Sequence, residues 1–200
     1  MRQHLKIFII IFIIGCSTKK TESVTYDVGQ IKTPMGEMLF SFSDHTPNHK
    51  ASFMKLASEH YWDTLTFNRV IKDFVIQGGC PDTPAGFGDS PYLLEPEFHD
   101  SLRHVYGAVG IGRDGNPEKL SAGCQFYIVH NKAGIPRLDG NFMIIGQVFK
   151  GLEVLDAIGV VATDTLDKPL IPVPLEVNIL KMTDEELIDG GFQHPKIKKE

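Results

Sequence analysis

Hydrophobic and polar residues alternate over several short segments of the chain, which is the pattern of half-buried β-strands. The alternation over residues 28–33 and 37–42, with a Thr-Pro-Met-Gly turn between them, predicts a β-hairpin. Further strands are expected where β-branched and aromatic residues concentrate, at residues 64–77, 105–111, 125–130, 142–149 and 175–182. Many short strands favour a closed barrel or a sandwich, so the predicted fold class is mainly β.

Two segments follow the helical period instead. Thr46 and Pro47 are typical of a helix start, with Thr46 as the N-cap and Pro47 in the first turn. The helix that follows carries an apolar stripe at i, i+3 and i+4 spacing, formed by Phe53, Leu56, Ala57 and His60 or Tyr61. We interpret this stripe as core packing. A second, shorter helix is expected over residues 152–158, ended by Gly159.

The N-terminal residues differ from the rest of the chain. Arg2 and Lys6 precede an apolar run at residues 7–14, which is the arrangement of a secretory signal. The run is too short to span a bilayer, which needs about 20 residues. Residues 13–16 also resemble a bacterial lipobox, which implies cleavage before Cys16 and a lipid on that cysteine. A plain signal peptide with an incidental cysteine is the alternative.

These patterns divide the chain into four parts. Residues 1–15 are predicted to be a lipoprotein signal peptide and residues 16–25 a flexible tether. Residues 26–182 show no break in composition and are predicted to form one domain, followed by a charged tail at 183–200 that is expected to fray. The expected location is the bacterial cell envelope, on the periplasmic face or at the outer membrane, and the sequence does not tell which membrane carries the lipid.

Charge and motifs exclude several functions. The chain has 20 Lys and Arg against 25 Asp and Glu, and loss of Arg2 and Lys6 would bring its net charge from −5 to −7. Proteins that bind nucleic acid usually carry a basic stripe, so no such partner is expected. The sequence has no zinc-binding HExxH pattern, CxxC pair, P-loop or nucleophile elbow. We therefore expect no metal and no cofactor, and a hydrolase or redox enzyme has little support.

Two cysteines remain beside Cys16. Cys80 and Cys124 have no metal-ligand spacing, and two thiols in an exported protein are able to pair. Two small buried thiols are favoured here over a disulfide. The sequence alone does not settle their redox state.

The segment FNRVIKDFVIQGG, residues 67–79, carries the candidate chemistry. Arg69 lies within a predicted strand among Phe67, Val70 and Phe74, with Gln77 close by in the chain. These residue types together indicate a pocket with an apolar floor and two hydrogen-bonding arms. A surface arginine on an exposed strand face is the alternative.

This segment and two later ones, residues 107–129 and 136–158, resemble the cyclophilin family in the same order. The family's signature runs Phe-x-Arg, then Phe, then Gln-Gly-Gly, and here it consists of Phe67, Arg69, Phe74, Gln77, Gly78 and Gly79. The later segments match through Cys124-Gln125-Phe126-Tyr127-Ile128 and Leu138-Asp139-Gly140. The likeness covers about residues 26–182. It implies a closed eight-stranded antiparallel β-barrel capped by two α-helices.

The resemblance also assigns roles to residues. It implies catalytic residues Arg69, Phe74 and Gln77, with Arg69 as the catalytic arginine. It implies substrate contacts for a larger set: Val75, Ile111, Gly112, Arg113, Gln125, Tyr127, Leu138 and Phe142. The proline-pocket walls are expected to include Phe74, Val75, Tyr127 and Leu138. The glutamines are expected to hold the substrate backbone, and residues 111–113 to form the strand edge against which a peptide lies.

Some positions depart from the best-known members. Phe142 replaces a His at the pocket rim, and Gly112 replaces a usual Ala. Arg137 stands where many eukaryotic members have a Trp that holds cyclosporin, so the sequence does not settle sensitivity to that drug. Residues 114–122 are longer than the usual turn.

The activity implied is peptidyl-prolyl cis/trans isomerisation, which would assist the folding of exported proteins in the cell envelope. The expected partners are proline-containing segments of folding proteins and, through the lipid on Cys16, the membrane. The protein is expected to be a monomer. A non-catalytic proline-peptide-binding or chaperone-like module on the same barrel is the alternative, and an anchored structural protein with an idle pocket is another. The client proteins cannot be identified from the sequence.

Overall fold

A strongly curled antiparallel sheet makes up most of the protein, whose structure is a computed structural model describing residues 24–82, 86 and 91–193. The described residues contain these strands: β1 Thr25–Thr33, β2 Gly36–Phe42, β3 Thr66–Ile71, β4 Val75–Gly79, β5 Leu93–Leu94, β6 Ala108–Ile111, β7 Ser121–Ala122, β8 Gln125–Val129, β9 Met143–Lys150, β10 Val173–Pro174 and β11 Glu176–Thr183. Their main sheet has the order β10-β3-β4-β8-β6-β9-β2-β1-β11, and β5 pairs separately with β7.

The two edge strands of this sheet follow each other in the sequence but do not pair with each other. Strands β10 and β11 stand at opposite ends of the order but are separated by Leu175 alone. Pro172 and Pro174 lack the N–H that a central strand must donate, and β10 pairs only with β3. The chain then continues into β11, which pairs with β1. The prediction of a mainly β antiparallel fold is confirmed. The closed barrel of eight strands is corrected to an open, curled sheet of nine among the described residues.

Most predicted strands lie close to the expected positions. β1 and β2 form the predicted hairpin, with Thr33 opposite Gly36 at the turn. The long segment expected at residues 64–77 is split into β3 and β4 by a turn, where Asp73 has a φ of 57°. Asp tolerates this left-handed conformation better than most residues. The turn brings Arg69 directly opposite Gln77 in the β3–β4 ladder.

The first helix, α1 Pro47–Ser58, begins where the sequence predicts, but its cap differs. Thr46 makes no side-chain cap hydrogen bond. Instead, the Glu97 carboxylate accepts hydrogen bonds from the backbone N–H groups of Asn48 and His49, both at 3.0 Å. A carboxylate satisfies the unpaired amides of a helix start as a serine or threonine side chain would. The expected apolar stripe is present, because Phe53, Leu56 and Ala57 are buried.

The second helix, α2 Leu152–Ile158, has the predicted bounds and is followed by Gly159. The C-terminal tail was predicted to fray, and this is wrong for its described part, which forms α3 Asp184–Asp189. Thr183 and Glu186 form a capping box there, with both reciprocal bonds present. Leu187 is buried against Val28 and Leu39. Residues 194–200 lie outside the described residues.

Aromatic rings fill the interior between the sheet and the helices. Phe53 of α1 packs against Phe40, Trp62 and Phe126, with ring centroids between 4.6 and 6.0 Å apart. All of these rings are at most 1% exposed. The main core therefore fixes β2, β8 and α1 relative to one another, and β8 carries residues of the candidate site on its other face.

Cys80 and Cys124 are joined in a disulfide, with a Cα–Cα distance of 5.5 Å. The preference for two free thiols is thus corrected. The two residues extend the β4–β8 ladder, in which Gly79 pairs with Gln125, and the Cys80 N–H donates to the Cys124 carbonyl at 3.0 Å. The two cysteines are 44 residues apart in the sequence, so the sequence does not show that they lie close together. The register of β4 and β8 brings them within bonding distance.

The predicted signal peptide and Cys16 lie outside the described residues. Among the helices that the structure does describe, none combines the length and apolar character required to cross a bilayer.

Candidate active site

A pocket of about 280 Å³ opens on the face of the curled sheet opposite the main core. All predicted site residues except Ile111 line it, namely Arg69, Phe74, Val75, Gln77, Gly112, Arg113, Gln125, Tyr127, Leu138 and Phe142. Asp82 and Arg137 also line it. Residues from strands β3, β4 and β8, a short 3₁₀ helix at Pro136–Leu138 and four connecting segments thus converge on one site among the described residues.

Arg69 is held on two sides at the mouth of the pocket. Its Nη1 donates a hydrogen bond to Oε1 of Gln77 at 3.4 Å. Its Nε lies 3.6 Å from Oδ2 of Asp167, a residue of the loop between α2 and β10. The backbone carbonyl of Asp167 in turn accepts a bond from the Val70 N–H at 2.8 Å, which ties this loop to β3. The guanidinium is oriented but keeps donors on Nη2 that no bond within the described residues uses.

The walls of the pocket are apolar and form a cluster of their own. Val75, Tyr127 and Leu138 are buried, and Phe74 and Phe142 pack against them partly exposed. The Tyr127 and Phe142 rings meet edge to face with centroids 6.4 Å apart. Such walls suit a small saturated ring that has no hydrogen-bonding groups of its own.

Tyr127 carries a hydroxyl into this apolar wall, and a buried pair satisfies it. Its hydroxyl lies 2.7 Å from Nε2 of His104, and Nδ1 of His104 lies 2.8 Å from Oδ1 of Asp139. Burial lowers the pKa of His104, although the Asp139 carboxylate opposes the shift. Burial also raises the pKa of Tyr127 well above its usual value. The neutral imidazole therefore donates a hydrogen bond from Nδ1 to Asp139 and accepts one at Nε2 from the Tyr127 hydroxyl.

Gln125 spans the base of the pocket. Its Nε2 donates to the Cys80 carbonyl at 3.0 Å and to Oδ1 of Asp82 at 2.8 Å. A Cβ on Gly112 would lie 2.0 Å from Oε1 of Gln125, so the missing side chain is what lets the amide lie across β6. The Gly112 that replaces the usual Ala therefore permits this position of the Gln125 amide.

Ile111 is the predicted site residue that lies outside the pocket. Its side chain is 1% exposed and belongs to the main core. The backbone of neighbouring Gly112 is engaged within the protein, since its N–H donates to Gln125 at 2.9 Å and its carbonyl accepts from Ala122 at 2.8 Å. A role for this strand edge in holding a peptide stays a prediction.

Sequence reasoning did not assign Asp82, Asp167 or the His104–Asp139 pair to the site. Asp82 and Asp167 come from loops whose paths the local sequence does not determine. Asp139 stands inside the Leu-Asp-Gly motif, and that position was the one available signal.

Known proteins match this chain over nearly all of the described sheet. The family model described as "Cyclophilin type peptidyl-prolyl cis-trans isomerase/CLD" matches residues 29–180. Peptidyl-prolyl cis-trans isomerase ppi1 of Schizosaccharomyces pombe is 35% identical over 149 residues, which cover 73% of this chain and 94% of that protein. Peptidyl-prolyl cis-trans isomerase CYP18-2 of Arabidopsis thaliana is 34% identical over 148 residues, covering 72% and 88%.

A solved structure shares the fold. The crystal structure of a cyclophilin type peptidyl-prolyl cis-trans isomerase from Cryptosporidium parvum has a TM-score of 0.69 and 25% identity, and the match covers 80% of this chain and 99% of that one. With the family model spanning more than half the chain and relatives above 30% identity, the resemblance seen in the sequence is confirmed. The chain belongs to the cyclophilin-type peptidyl-prolyl cis-trans isomerases, and it is an enzyme of that class.

Proposed function

We propose that this isomerase rotates X-Pro bonds of exported proteins in a bacterial cell envelope, and that Arg69 is its catalytic donor. The observation that carries the proposal is the position of the Arg69 guanidinium, held by Gln77 and Asp167 beside apolar walls that fit a proline ring. Proline-containing segments of folding proteins are the proposed substrates.

The chemistry requires no nucleophile or acid–base pair. Amide resonance gives X-Pro rotation a barrier of about 18–20 kcal/mol, and the twisted transition state loses that resonance. The prolyl nitrogen then becomes pyramidal and gains a lone pair able to accept a hydrogen bond. A donor placed against this nitrogen binds the transition state more tightly than either planar ground state, which lowers the barrier.

Arg69 suits this task for physical reasons. Its guanidinium stays charged at all relevant pH values and donates in a planar, fixed geometry. Phe74, Tyr127 and Leu138 would grip the ring while the preceding carbonyl rotates. Gln77 acts as a positioning residue, because its bond to Nη1 holds the guanidinium toward the pocket.

The test is X-Pro exchange measured by NMR on a short Ala-Pro-Phe peptide. Removal of one preorganised donor costs about 2–4 kcal/mol of barrier, so Arg69→Ala should slow catalysed exchange by roughly 30- to 1,000-fold. Lys55→Gln, a change of an exposed cation on α1, is the matched control and should leave the rate unaltered. Full activity in Arg69→Ala would refute the role of Arg69. Peptide binding without faster exchange would favour the non-catalytic module.

We further propose that the chain is a lipoprotein anchored through Cys16. The support is the charged start, the short apolar run and the lipobox-like residues 13–16. Acyl chains contribute about 0.8 kcal/mol per buried CH₂, so several chains on one cysteine would hold the protein on a membrane. Cys16→Ser should move the protein from the membrane to the soluble fraction of an expressing bacterium. An unchanged distribution of Cys16→Ser between the membrane and soluble fractions would refute the lipid anchor but would not affect the isomerase proposal.

A further inference from the structure

The lining of the pocket carries an excess of positive charge in a chain that is acidic overall. Arg69, Arg113 and Arg137 line the pocket with one carboxylate, that of Asp82, among the described residues. The whole chain has a formal net charge of −5. The charge of the pocket lining and the net charge of the chain therefore have opposite signs.

One of the three guanidinium groups, that of Arg69, has a carboxylate partner inside the protein. The Arg69 guanidinium faces the Asp167 carboxylate and the Gln77 amide. The Asp82 carboxylate accepts a hydrogen bond from Nε2 of Gln125. Because the Gln125 amide is neutral, Asp82 keeps its charge. Among the described residues, the lining thus holds two cations with no carboxylate within 4.0 Å, Arg113 and Arg137, against this one anion.

Arg113 is a cation that is fixed in place but not neutralised. Its Nε donates to the Asn141 carbonyl at 2.7 Å, and its Nη1 donates to the carbonyls of Asp114 and Asn116 at 2.9 and 3.1 Å. The guanidinium also lies 4.8 Å from the centroid of the Phe142 ring. Carbonyl oxygens and an aromatic face orient the group without cancelling its charge. Within the described part of the chain, Nη2 makes no hydrogen bond, so two oriented donors are available to a ligand.

Arg137 presents a second cation on another wall. Its guanidinium lies 5.0 Å from the centroid of the Phe74 ring, and the side chain is exposed. Among the described residues no carboxylate lies within 4.0 Å of it. The next residue along the chain, Leu138, is itself a wall of the pocket. Arg113 and Arg137 therefore both lie beside the space that a bound proline would occupy.

We infer that the pocket selects proline segments that carry a carboxylate, from Asp or Glu, immediately before or after the proline, with Arg113 and Arg137 as the specificity-determining residues. This inference rests on the proposed isomerase function and names the class of its preferred substrates. An acidic side chain meets an oriented donor pair at Arg113 or an exposed cation at Arg137, whereas a lysine at the same place is repelled. Proline segments with a neighbouring lysine are accordingly poor substrates.

The experiment compares peptides in which the residue before or after the proline is Glu, Ala or Lys. Exchange catalysed by the full-length chain is followed by NMR, and kcat/KM is obtained for each peptide. The Glu peptide is expected to exceed the Ala peptide by about fivefold in at least one of the two positions, and the Lys peptide to fall below it. The advantage should shrink to less than about twofold in 0.5 M NaCl, because salt screens exposed charge pairs.

Variants then assign the effect to its residues. Arg137→Gln and Arg113→Gln should each reduce the Glu-to-Ala ratio, and the double variant should bring it to about one. Lys55→Gln, an exposed cation distant from the pocket on α1, should keep the wild-type ratio. Circular dichroism checks folding, and Arg137→Gln carries the test if Arg113→Gln disturbs its loop. Equal kcat/KM values for the three peptides, or a preference that survives the double variant, would overturn the inference. A chain that accelerates none of the peptides would instead refute the isomerase proposal.

Discussion

The hydroxyl of Tyr127 lies 2.7 Å from Nε2 of His104, which joins a wall of the candidate pocket to a buried polar pair. His104 is 2% exposed and also faces Asp139 through Nδ1 and its backbone N–H. A buried tyrosine hydroxyl needs a hydrogen-bond partner, and the His104–Asp139 pair supplies one from within the protein. Asp139 further lies 3.7 Å from Arg103, which links the pair to the surface.

Tyr127→Phe should lower the free energy of unfolding by about 1–3 kcal/mol, because it leaves Nε2 of buried His104 without a donor. Urea denaturation followed by circular dichroism measures the change. Tyr26→Phe is the control, since Tyr26 is 43% exposed and should cost little. Equal stability of the two variants would contradict the network described for Tyr127.

Stability should fall as the pH drops below about 6.5, the ordinary pKa of histidine. Burial lowers the pKa of His104 and that of His49 in the folded protein, while the carboxylates of Asp139 and Glu97 oppose the shift. The unfolded chain therefore takes up protons first, and stability present above pH 6.5 is lost between that pH and the lower folded-state pKa values.

Urea midpoints between pH 8 and 5 test this dependence. His104→Asn should flatten the decline, whereas His45→Gln, which alters an exposed imidazole, should leave it unchanged. A decline of the same slope in His104→Asn would show that this histidine is not among the groups responsible.

Gln77→Ala should lower kcat for X-Pro exchange by about tenfold with a smaller effect on KM, because the guanidinium of Arg69 loses the bond that aims it. Asp167→Asn should change kcat by less than about fivefold, since the Arg69–Asp167 pair is well exposed and such pairs contribute little. NMR exchange spectroscopy gives both parameters. A larger effect from Asp167→Asn than from Gln77→Ala would reverse the order of importance assigned to the two partners.

Reduction of the Cys80–Cys124 disulfide should lower the free energy of unfolding by about 3–4 kcal/mol, because it opens a covalent loop with a sequence separation of 44. Denaturation with and without dithiothreitol measures this loss. A Cys80→Ser/Cys124→Ser variant should have the same free energy of unfolding as the reduced protein, and dithiothreitol should not change it. Isomerase activity should also decline on reduction, since Gln125 bonds to the Cys80 carbonyl at the base of the pocket.

Glu97→Ala should destabilise the protein by about 1–2 kcal/mol, because the first amides of α1 lose their cap. The neighbouring Glu95→Ala is the matched control, as Glu95 is exposed. Thermal unfolding distinguishes the two. If the two variants have the same unfolding temperature, Thr46 or water rather than Glu97 caps this helix.

Local patterns predicted the elements whose signals are themselves local. The turn at residues 33–36 and the period of α2 lie within a few residues of one another in the chain, so the hairpin and the helix emerged near their observed bounds. Helix α3 also has a local signal, the spacing of Thr183 and Glu186, which an interpretation based on the charged composition of the tail does not use.

The features that were missed depend on where distant segments meet. Glu97 reaches α1 from 49 residues away, and Cys80 meets Cys124 only through the register of β4 and β8. Asp167 joins Arg69 because a loop beyond α2 folds back onto β3. The pocket walls were anticipated through the family resemblance, whereas their polar supports at His104 and Asp139 required the three-dimensional arrangement.

The last strand of the sheet pairs with the first, as Thr183 of β11 lies opposite Thr25 of β1. A chain that is made from its N-terminus cannot complete this sheet until residue 183 has been synthesised. Every earlier stage leaves an edge of β1 unpaired and the apolar face behind it open to solvent. Unpaired strand edges of this kind favour aggregation, so the growing polypeptide is most exposed to it until strand β11 has been made.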